Sequence, residues 1–572
     1  MNAIKHLLIL SLGTILPAIS NAQLKKDITV VHDYEPEYVE VTRLGTNPEI
    51  TLPTDTLRAL NYSTRKIGVN PTMQIAAFEP AAYADSIYTS PYRGYAALGF
   101  MPGFNLGASA GYKFLDTDRT RLNAWLQYDG TSYRGKYDDI SRRMRRNTAT
   151  LGANLHRATG RESYVDLGID YTYSRFNTPV AEELRNQNVH RLNLSALWSG
   201  RNDSWRYGIG AGYSHFGYGN SLASTPQFPG PDLLKAVREN SLNASAFAST
   251  SLSRGSTAGM TIDFSLITNG NHAVTYTGQG APLTLLPDGS LNHSRLGFNP
   301  YYRFDVDKFH LDLGAQIDFT FNSGSFFHIA PKVSATWTPG KYIKVYAKAH
   351  GGRHQNTLGS LFEVTPYSLP VMAYDNSSVP VNATIGITAG TWRGLYLDIN
   401  ATYAIANDWL MPVQFAGGTI FGHLDFKGYK LGITAGYTYR DIISLTFAYE
   451  TAPHKYNRGF YLWRDRARHV ADASLKVTPA KALDITVGWN YRGSRAVALD
   501  TAVQLPDGTF ENRTSLSGLG AVSDLYAGAL YRIDSRWSVF VSGRNLMNHR
   551  HAMIGGIPAQ GITGLAGVTY KF

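Results

Sequence analysis

Residues 564–572 read GLAGVTYKF, and their side chains alternate in character along the chain. Successive side chains of a strand point to opposite faces, so every second residue shares a face. One face is apolar and ends on an aromatic ring, and the other is mostly small or polar. The first face holds Ala566, Val568, Tyr570 and Phe572, and the second holds Leu565, Gly567, Thr569 and Lys571. The stretch predicts a strand between apolar surroundings and water.

The same alternation recurs upstream, in residues 310–321, 395–403 and 483–492. No helical period of 3.6 residues explains these segments. Each is about ten residues long, which is the length of a tilted strand that crosses a bilayer. A soluble β-sandwich also alternates, but strand length and an export signal favour a membrane barrel.

The export signal is predicted in residues 1–22. Lys5 precedes an apolar stretch at residues 7–19, and Ser20, Asn21 and Ala22 provide a cleavage site before Gln23. The apolar stretch is too short for a typical spanning helix, and no later run of about 18 apolar residues follows. We therefore expect an exported chain without a helical anchor. The absence of cysteine excludes disulfides and thiolate chemistry.

Composition fits a barrel whose strands meet lipid on one side only. The 572 residues are 43% apolar and 17% charged, with 36 Tyr and 55 Gly. The net charge of +11 suggests anionic counterparts, and export argues against nucleic acid. The anionic counterparts that remain are phosphate groups of surface glycolipid, anionic solutes and acidic residues of the lumen. Four arginines are predicted to lie in an outer loop, either solvated or bound to lipid phosphate: Arg142, Arg143, Arg145 and Arg146.

The chain divides into the signal peptide, a Pro-rich extended segment at residues 23–91, and a barrel at residues 92–572. We predict an all-β fold, a transmembrane antiparallel β-barrel of about 22 strands (18–24). Residues 419–440 read as one long strand or two. Short connections should be periplasmic and an even count should place both termini in the periplasm. Long connections should face outward, at residues 217–238, 269–292, 353–378, 406–417, 451–466 and 493–521.

The strand pattern also predicts which charges face the bore. Most should pair within the barrel wall, because such lumens are polar and carry mixed charge. These residues are Asp312, Asp318, Asp398, Asp472, Asp484, Arg121, Arg191, Arg492, Arg532 and Arg544. Aromatic residues near strand ends are predicted to sit at the membrane interfaces, namely Trp198, Trp205, Trp337, Tyr342, Trp392, Trp409 and Trp537.

We expect no catalytic, cofactor or metal site. Residues 107–111, Gly-Ala-Ser-Ala-Gly, match the nucleophile-elbow string of hydrolases, but they lie in a strand followed by another strand rather than at a strand-to-helix turn. The pairs His350 with His354 and His549 with His551 lack a companion carboxylate at a metal-site spacing.

Residues 539–572 resemble the last hairpin of TonB-dependent outer-membrane receptors. Asn-Leu-Met-Asn at residues 545–548 is similar to that family's Asn-Leu-Phe-Asn string, and residues 558–572 resemble its closing Pro-rich loop and final strand. Met547 replaces an aromatic residue, and Ile562 stands where the family usually has Arg. The resemblance implies that Tyr570 and Phe572 serve as a signal for the barrel-assembly machinery.

The N-terminal part departs from that family, since residues 23–91 are too few for its globular plug. The chain is similar to plugless receptor-like barrels of Bacteroidota, some of which belong to larger outer-membrane complexes. One short motif resembles the box that contacts TonB, and it consists of Asp27, Ile28, Thr29, Val30 and Val31.

A barrel near 22 strands encloses a wide bore, which must be closed to prevent leakage. Residues 23–91, infolded long loops such as 353–378, or a partner protein could close it. The sequence therefore favours a non-catalytic receptor-like subunit or scaffold of an outer-membrane complex, for assembly or export of surface components, with envelope proteins as partners. The alternatives are a nutrient transporter or channel, possibly linked to TonB, and an outer-membrane hydrolase.

Overall fold

A computed structural model describes residues 92–101, 105–137, 140–180, 183–219, 237–253, 255–270, 274–276, 283–286, 292–368, 374–415, 418–440, 442–452, 467–504, 510–553 and 557–572. The predicted signal peptide, the Pro-rich segment and the TonB-box-like residues Asp27 to Val31 lie outside these ranges. Within the described ranges, no helix is both long and apolar enough to span a bilayer.

The described residues form strands β1–β24 and one short helix, α1. The first twelve strands are β1 (Gly94–Met101), β2 (Asn105–Asp116), β3 (Thr120–Tyr137), β4 (Ile140–Ala158), β5 (Ser163–Val180), β6 (Glu183–Asn202), β7 (Trp205–Tyr218), β8 (Arg238–Ser253), β9 (Ser256–Gly270), β10 (Val274–Tyr276), β11 (Leu283–Leu286) and β12 (His293–Val306). The others are β13 (Phe309–Phe321), β14 (Phe327–Gly340), β15 (Ile343–His354), β16 (Ser377–Trp392), β17 (Leu395–Phe415), β18 (Gly418–Tyr439), β19 (Ile443–Thr451), β20 (His469–Ala480), β21 (Leu483–Gln504), β22 (Phe510–Arg532), β23 (Trp537–Arg544) and β24 (Thr563–Lys571), with α1 (Leu358–Val364) between β15 and β16.

The sheet closes on itself as a barrel. Each strand from β1 to β9 and from β12 to β24 pairs antiparallel with its neighbour, and β1 pairs antiparallel with β24, so that Leu98 lies opposite Val568. The barrel has 22 strands, which confirms the predicted count. The segment left open as one strand or two is one strand, β18. The small hairpin β10–β11 forms a separate sheet.

The outer surface is apolar because every second side chain faces lipid. Ile385 is 64% exposed, Ile209 is 60% exposed and Leu151 is 56% exposed, as expected for side chains that face acyl chains rather than water. Their chain neighbours point into the barrel. Exposed aromatic residues lie where strands meet the short turns, at Trp198, Trp205, Trp337, Tyr342, Trp392 and Trp537, as predicted.

The short connections lie at one end of the barrel and the long ones at the other, here named the short-turn end and the long-loop end. The short turns include residues 117–119 between β2 and β3, 203–204 between β6 and β7, and 307–308 between β12 and β13. Two of the predicted long loops are wrong, because β17 covers residues 406–415, and β21 and β22 cover residues 493–504 and 510–521. The four clustered arginines also lie in a strand, β4, rather than in a loop.

Candidate functional site

The connection between β15 and β16 folds into the bore at the long-loop end. We name residues 355–376 the inner loop; residues 369–373 lie outside the described ranges. Its helix α1 begins where the Thr357 side chain accepts a hydrogen bond from the Ser360 backbone, and the Ser360 hydroxyl accepts one from the Thr357 backbone. This capping box satisfies two helix N–H groups, and Pro366 follows the helix end. Leu358, Leu361 and Phe362 lie on one face and are buried.

That apolar face packs inside the mouth of the barrel. It packs against side chains from distant strands and from the loop between β23 and β24, and we name the whole set the mouth cluster. Its buried members are Met144, Phe176, Val189, Phe216, Tyr218, Val237, Leu358, Leu361, Phe362, Tyr367, Tyr374, Phe421 and Ile557. Ring centroids of Phe362 lie 5.6 Å from Phe216 and 5.8 Å from Phe176, which is the range of favourable aromatic pairs. An apolar core therefore joins the inner loop to the barrel wall at the mouth.

Polar contacts fix the inner loop to the wall at the rim of this cluster. Arg191 on β6 donates to Glu363 at 2.6 Å. The Glu239 carboxylate on β8 accepts from the Leu358 backbone at 2.9 Å and from the Tyr374 hydroxyl at 3.1 Å. Burial raises the pKa of Tyr374 well above its ordinary value, and the nearby Glu239 acts in the same direction, so the hydroxyl remains a donor. The loop thus meets hydrogen-bonding partners on both sides of the helix.

The return of the inner loop to β16 is held by a second set of hydrogen bonds. The Asn356 amide donates to the Asp375 carbonyl at 2.6 Å and to the Ser377 hydroxyl at 2.9 Å, and so joins the two ends of the loop. The Asp375 backbone donates to His423 on β18 at 3.1 Å. Nearer the start of β18, Thr419 donates its backbone N–H to the Tyr367 carbonyl at 2.9 Å. The loop is anchored to β18 as well as to β6 and β8.

A second loop, residues 545–562, lies against the first at the long-loop end; we name it the C-terminal loop, and residues 554–556 lie outside the described ranges. Asn545 organises it, since its amide donates to the carbonyls of His549 at 3.0 Å and Gln560 at 3.2 Å and accepts from the His549 backbone at 2.8 Å. Its φ of 46° is a conformation that asparagine tolerates better than most residues. This explains why the Asn-Leu-Met-Asn string starts the loop.

The C-terminal loop contributes directly to the closed mouth. Ile557 is fully buried in the mouth cluster. The Tyr133 hydroxyl on β3 donates to the Pro558 carbonyl at 3.0 Å, and a Cβ at Gly135 would lie 2.5 Å from Pro558, so only glycine allows this approach. Arg495 donates to the Ala552 carbonyl at 2.9 Å. The two loops therefore meet in one core.

A buried ion pair supports the base of the inner loop. Arg295 on β12 donates to Asp318 on β13 at 2.9 Å, and the two side chains are 2% and 0% exposed. Asp318 also accepts from the Gln316 amide at 3.0 Å and from the Arg353 backbone at 2.9 Å. These donors replace the hydrogen bonds to water that the buried carboxylate has lost. The pair fixes β15 where the inner loop begins.

Other predicted inward charges are paired within the wall. Arg303 donates to Asp312 at 2.8 Å, and Arg492 donates to Asp472 at 2.9 Å. Asp398 accepts from the hydroxyls of Tyr346 and Thr388 and from the Asn400 amide. Further pairs join Arg532 with Asp484 and Arg121 with Asp116. Most of the predicted inward charges are therefore paired within the wall, whereas Arg191 pairs with Glu363 of the inner loop.

The other sequence motifs do not form a catalytic or metal site among the described residues. Ser109 lies within β2, and its buried hydroxyl makes no hydrogen bond to the described residues, unlike a raised nucleophile. No three His, Cys, Asp or Glu residues come together as a metal site in the part of the chain that the structure describes. His354 stacks on Trp409 at 5.4 Å inside the barrel end, so the predicted interfacial place of Trp409 is wrong.

The last residues lie on the seam of the barrel. The Phe572 backbone exchanges hydrogen bonds with Gly94, and the ring lies 6.1 Å from that of Tyr112 on the adjoining strand. Tyr570 on β24 contacts Trp537 at 4.5 Å between ring centroids. Both aromatic residues therefore lie at the short-turn end, next to the pairing of β1 with β24.

Solved structures share this architecture. The siderophore receptor PirA from Acinetobacter baumannii matches with a TM-score of 0.65 at 10% identity, over 84% of this chain and 80% of that chain. A mutant of the ferric enterobactin receptor from Pseudomonas aeruginosa gives 0.62 at 12% identity, over 84% and 80%. The ferripyoverdine receptor of the Pseudomonas aeruginosa outer membrane gives 0.59 at 13% identity, over 85% and 72%.

The described residues form a barrel of 22 strands whose fold matches the barrels of these receptors. This is the fold that the resemblance of the C-terminal motif to TonB-dependent receptors implied. No protein-family model and no curated protein matches the sequence. At 10–13% identity the likeness establishes the fold of the receptor-like barrel and leaves its function to be argued from the closed mouth.

Infolding of residues 353–378 was one of three ways of closing the bore that the sequence left open, and the helix within them was not predicted. A signal for α1 was present, since Thr357 and Ser360 have capping-box spacing and Leu358, Leu361 and Phe362 recur with helical spacing. The wall partners of that helix had no such signal, because they lie on strands that meet it only after the barrel closes.

Proposed function

We propose that the protein is a non-catalytic, receptor-like barrel of the cell outer membrane, and that it serves as an occluded subunit or scaffold of a complex for assembly or export of surface components. The observation that supports the proposal best is the mouth cluster, in which the inner loop and the C-terminal loop pack against the wall at the long-loop end, and which we propose closes the mouth.

The proposal includes the cellular location of the chain and its orientation in the membrane. We infer that residues 1–22 are cleaved on export, that residues 23–91 lie in the periplasm or enter the lumen, and that the short-turn end is periplasmic. Long loops of outer-membrane barrels face outward, which places the closed mouth on the cell surface. Tyr570 and the exposed Phe572, which lie at the seam between β1 and β24, would bind the barrel-assembly machinery. Deleting Phe572 should then lower the inserted amount in cells.

Conductance in planar bilayers tests the occlusion. His354 and Ser377 face each other in register, so Asn-Gly can replace residues 355–376 as a two-residue hairpin turn. We expect the full chain to be silent and the shortened chain to show stable openings. The matched control replaces residues 452–468, because Thr451 and His469 also face each other; it should stay silent. Silence of the first variant would contradict the closing role of the inner loop.

Purification in mild detergent tests the scaffold role. We expect envelope proteins to copurify in fixed proportion to the full chain. A solitary monomer at native expression level would argue against the scaffold. Covalent labelling of a serine by an activity probe would argue against a non-catalytic barrel.

A second candidate is transport of a nutrient, possibly linked to TonB. It is favoured by the fold, which the chain shares with siderophore receptors, and by the inner loop, a separate segment that could undock without breaking the wall. The box-like residues Asp27 to Val31 would contact TonB. Deleting residues 23–34 should then abolish uptake while leaving the amount of inserted barrel unchanged, whereas unchanged uptake would contradict the TonB link.

A further inference from the structure

An arginine-rich surface lies on the outside of the barrel. Strand register identifies the outward side chains, because Leu126 on β3 lies opposite Leu151 on β4, which lies opposite Tyr171 on β5, and all three are exposed. The same parity, followed toward the long-loop end, leads to four exposed arginines. These are Arg134 on β3, Arg143 and Arg145 on β4, and Arg175 on β5, which we name the arginine patch.

The patch lies at the far interface of the membrane. Val165 pairs with the exposed Trp198, which marks the interface next to the short turns. Arg175 follows Val165 on the same strand after ten residues, and about 9–11 residues of tilted strand cross a bilayer. Arg175 therefore lies at the level of lipid headgroups in the opposite leaflet, directly above the apolar belt.

The arrangement of the arginines is unfavourable without an anion. Arg134 lies directly opposite Arg143 in the β3–β4 register, and like charges in that position destabilise a sheet. The outward positions of β3, β4 and β5 within the described ranges hold no Asp or Glu. None of the four patch arginines forms an ion pair with a described carboxylate; Arg143 donates to the Ser132 hydroxyl at 3.0 Å. Among the described residues, these clustered cations therefore have no neutralising carboxylate.

We propose that the arginine patch binds the phosphate groups of an anionic glycolipid in the leaflet at the long-loop end. Guanidinium groups match phosphate oxygens in paired hydrogen bonds. The patch continues directly into the lipid-facing surface of Leu126, Leu151 and Tyr171, so one molecule can place phosphate on the arginines and acyl chains on the belt. A free phosphate ion would use only the first half of this surface.

Binding of diphosphoryl lipid A to the detergent-purified full chain tests the proposal, with native mass spectrometry as the readout. The variant combines Arg143→Gln with Arg145→Gln, and the matched control removes two charges at the short turns, Lys308→Gln with Lys341→Gln. Heat-modifiable migration on gels confirms that each variant is folded. We expect the patch variant to lose affinity by about tenfold or more, and the control to bind as the parent does.

Two further arms identify the ligand's source. Dephosphorylated lipid A should bind the parent weakly. Its affinity should be no higher than that of diphosphoryl lipid A for the patch variant. Inorganic phosphate should compete only weakly, because it lacks acyl chains. The proposal is overturned if the patch variant and the control bind equally, if the dephosphorylated lipid binds as tightly as the phosphorylated one, or if inorganic phosphate displaces the lipid completely.

Discussion

Replacing Phe362 with alanine should undock the inner loop. The side chain is only 8% exposed, and its ring contacts Phe176 and Phe216 while the Arg146 guanidinium lies 5.9 Å from its centre. Truncation of a buried phenylalanine costs about 3–5 kcal/mol, and we take about 3 kcal/mol because the helix is short and partly able to relax. Since about 1.4 kcal/mol is a factor of ten, the undocked fraction should rise about 150-fold.

Hydrogen exchange measures that fraction directly. The Leu361 and Thr365 amides donate within the loop, to Thr357 at 3.0 Å and to Leu361 at 3.2 Å, and they should exchange about 150-fold faster in the variant. Planar-bilayer recordings of the same variant should show brief openings. The control Phe264→Ala removes the same atoms from the lipid-facing side of β9, so it should leave both readouts unchanged.

The neighbouring substitution Glu363→Gln separates apolar from ionic contributions. The side chain of Glu363 is about a third exposed, and that of its partner Arg191 is about a quarter exposed. Their ion pair should therefore contribute at most about 1 kcal/mol to docking of the inner loop. We therefore expect less than about tenfold faster exchange. The reasoning is refuted if Phe362→Ala exchanges like the parent, or if Glu363→Gln opens the loop more than Phe362→Ala does.

Three other changes test the supports of the closed mouth. Asn545→Ala should destabilise the C-terminal loop by about 2–3 kcal/mol through three lost hydrogen bonds, seen as a lower Tm than for the exposed Met547→Ala. Arg295→Met should cost about 3–5 kcal/mol by leaving Asp318 buried and unpaired, and adding Asp318→Asn should recover part of the lost Tm. Burial lowers the pKa of His551, so the C-terminal loop should lose stability as pH falls below the ordinary histidine pKa, with faster exchange that His551→Gln removes.

The barrel itself was predictable because the membrane enforces a two-residue period. In residues 395–403, lipid selects the apolar set and the bore selects the polar set, and β17 follows that pattern. The prediction fails from residue 406 onward, where β17 continues beyond the belt. A register shift between Ala406 and Trp409 breaks the alternation, and Asp408 adopts a φ of 53°. Trp409 is then buried by packing with Phe426 instead of facing lipid.

The closed mouth was predictable only in outline. Loop length indicated that residues 353–378 could fold inward, and capping residues indicated where a helix could start. The contact of Phe362 with Phe176 depends on how far β5 lies from β15 around the closed sheet, which no local pattern encodes. The pairing of the wall charges was easier to predict from the sequence, because partners such as Arg303 and Asp312 face each other on adjacent strands.

Undocking of the inner loop would affect the polar wall of the bore and the apolar mouth cluster differently. Wall carboxylates such as Asp398 and Asp472 take their hydrogen bonds from the wall itself, so they stay satisfied in an open barrel. Phe176, Phe216 and Val189 pack against the loop, and undocking would turn their apolar surface toward water at about 25 cal/mol per Å². A stable open state therefore needs a molecule that covers this surface again. That molecule must offer an apolar face. We therefore expect the mouth to be opened by a protein segment or an apolar ligand rather than by a small hydrated ion.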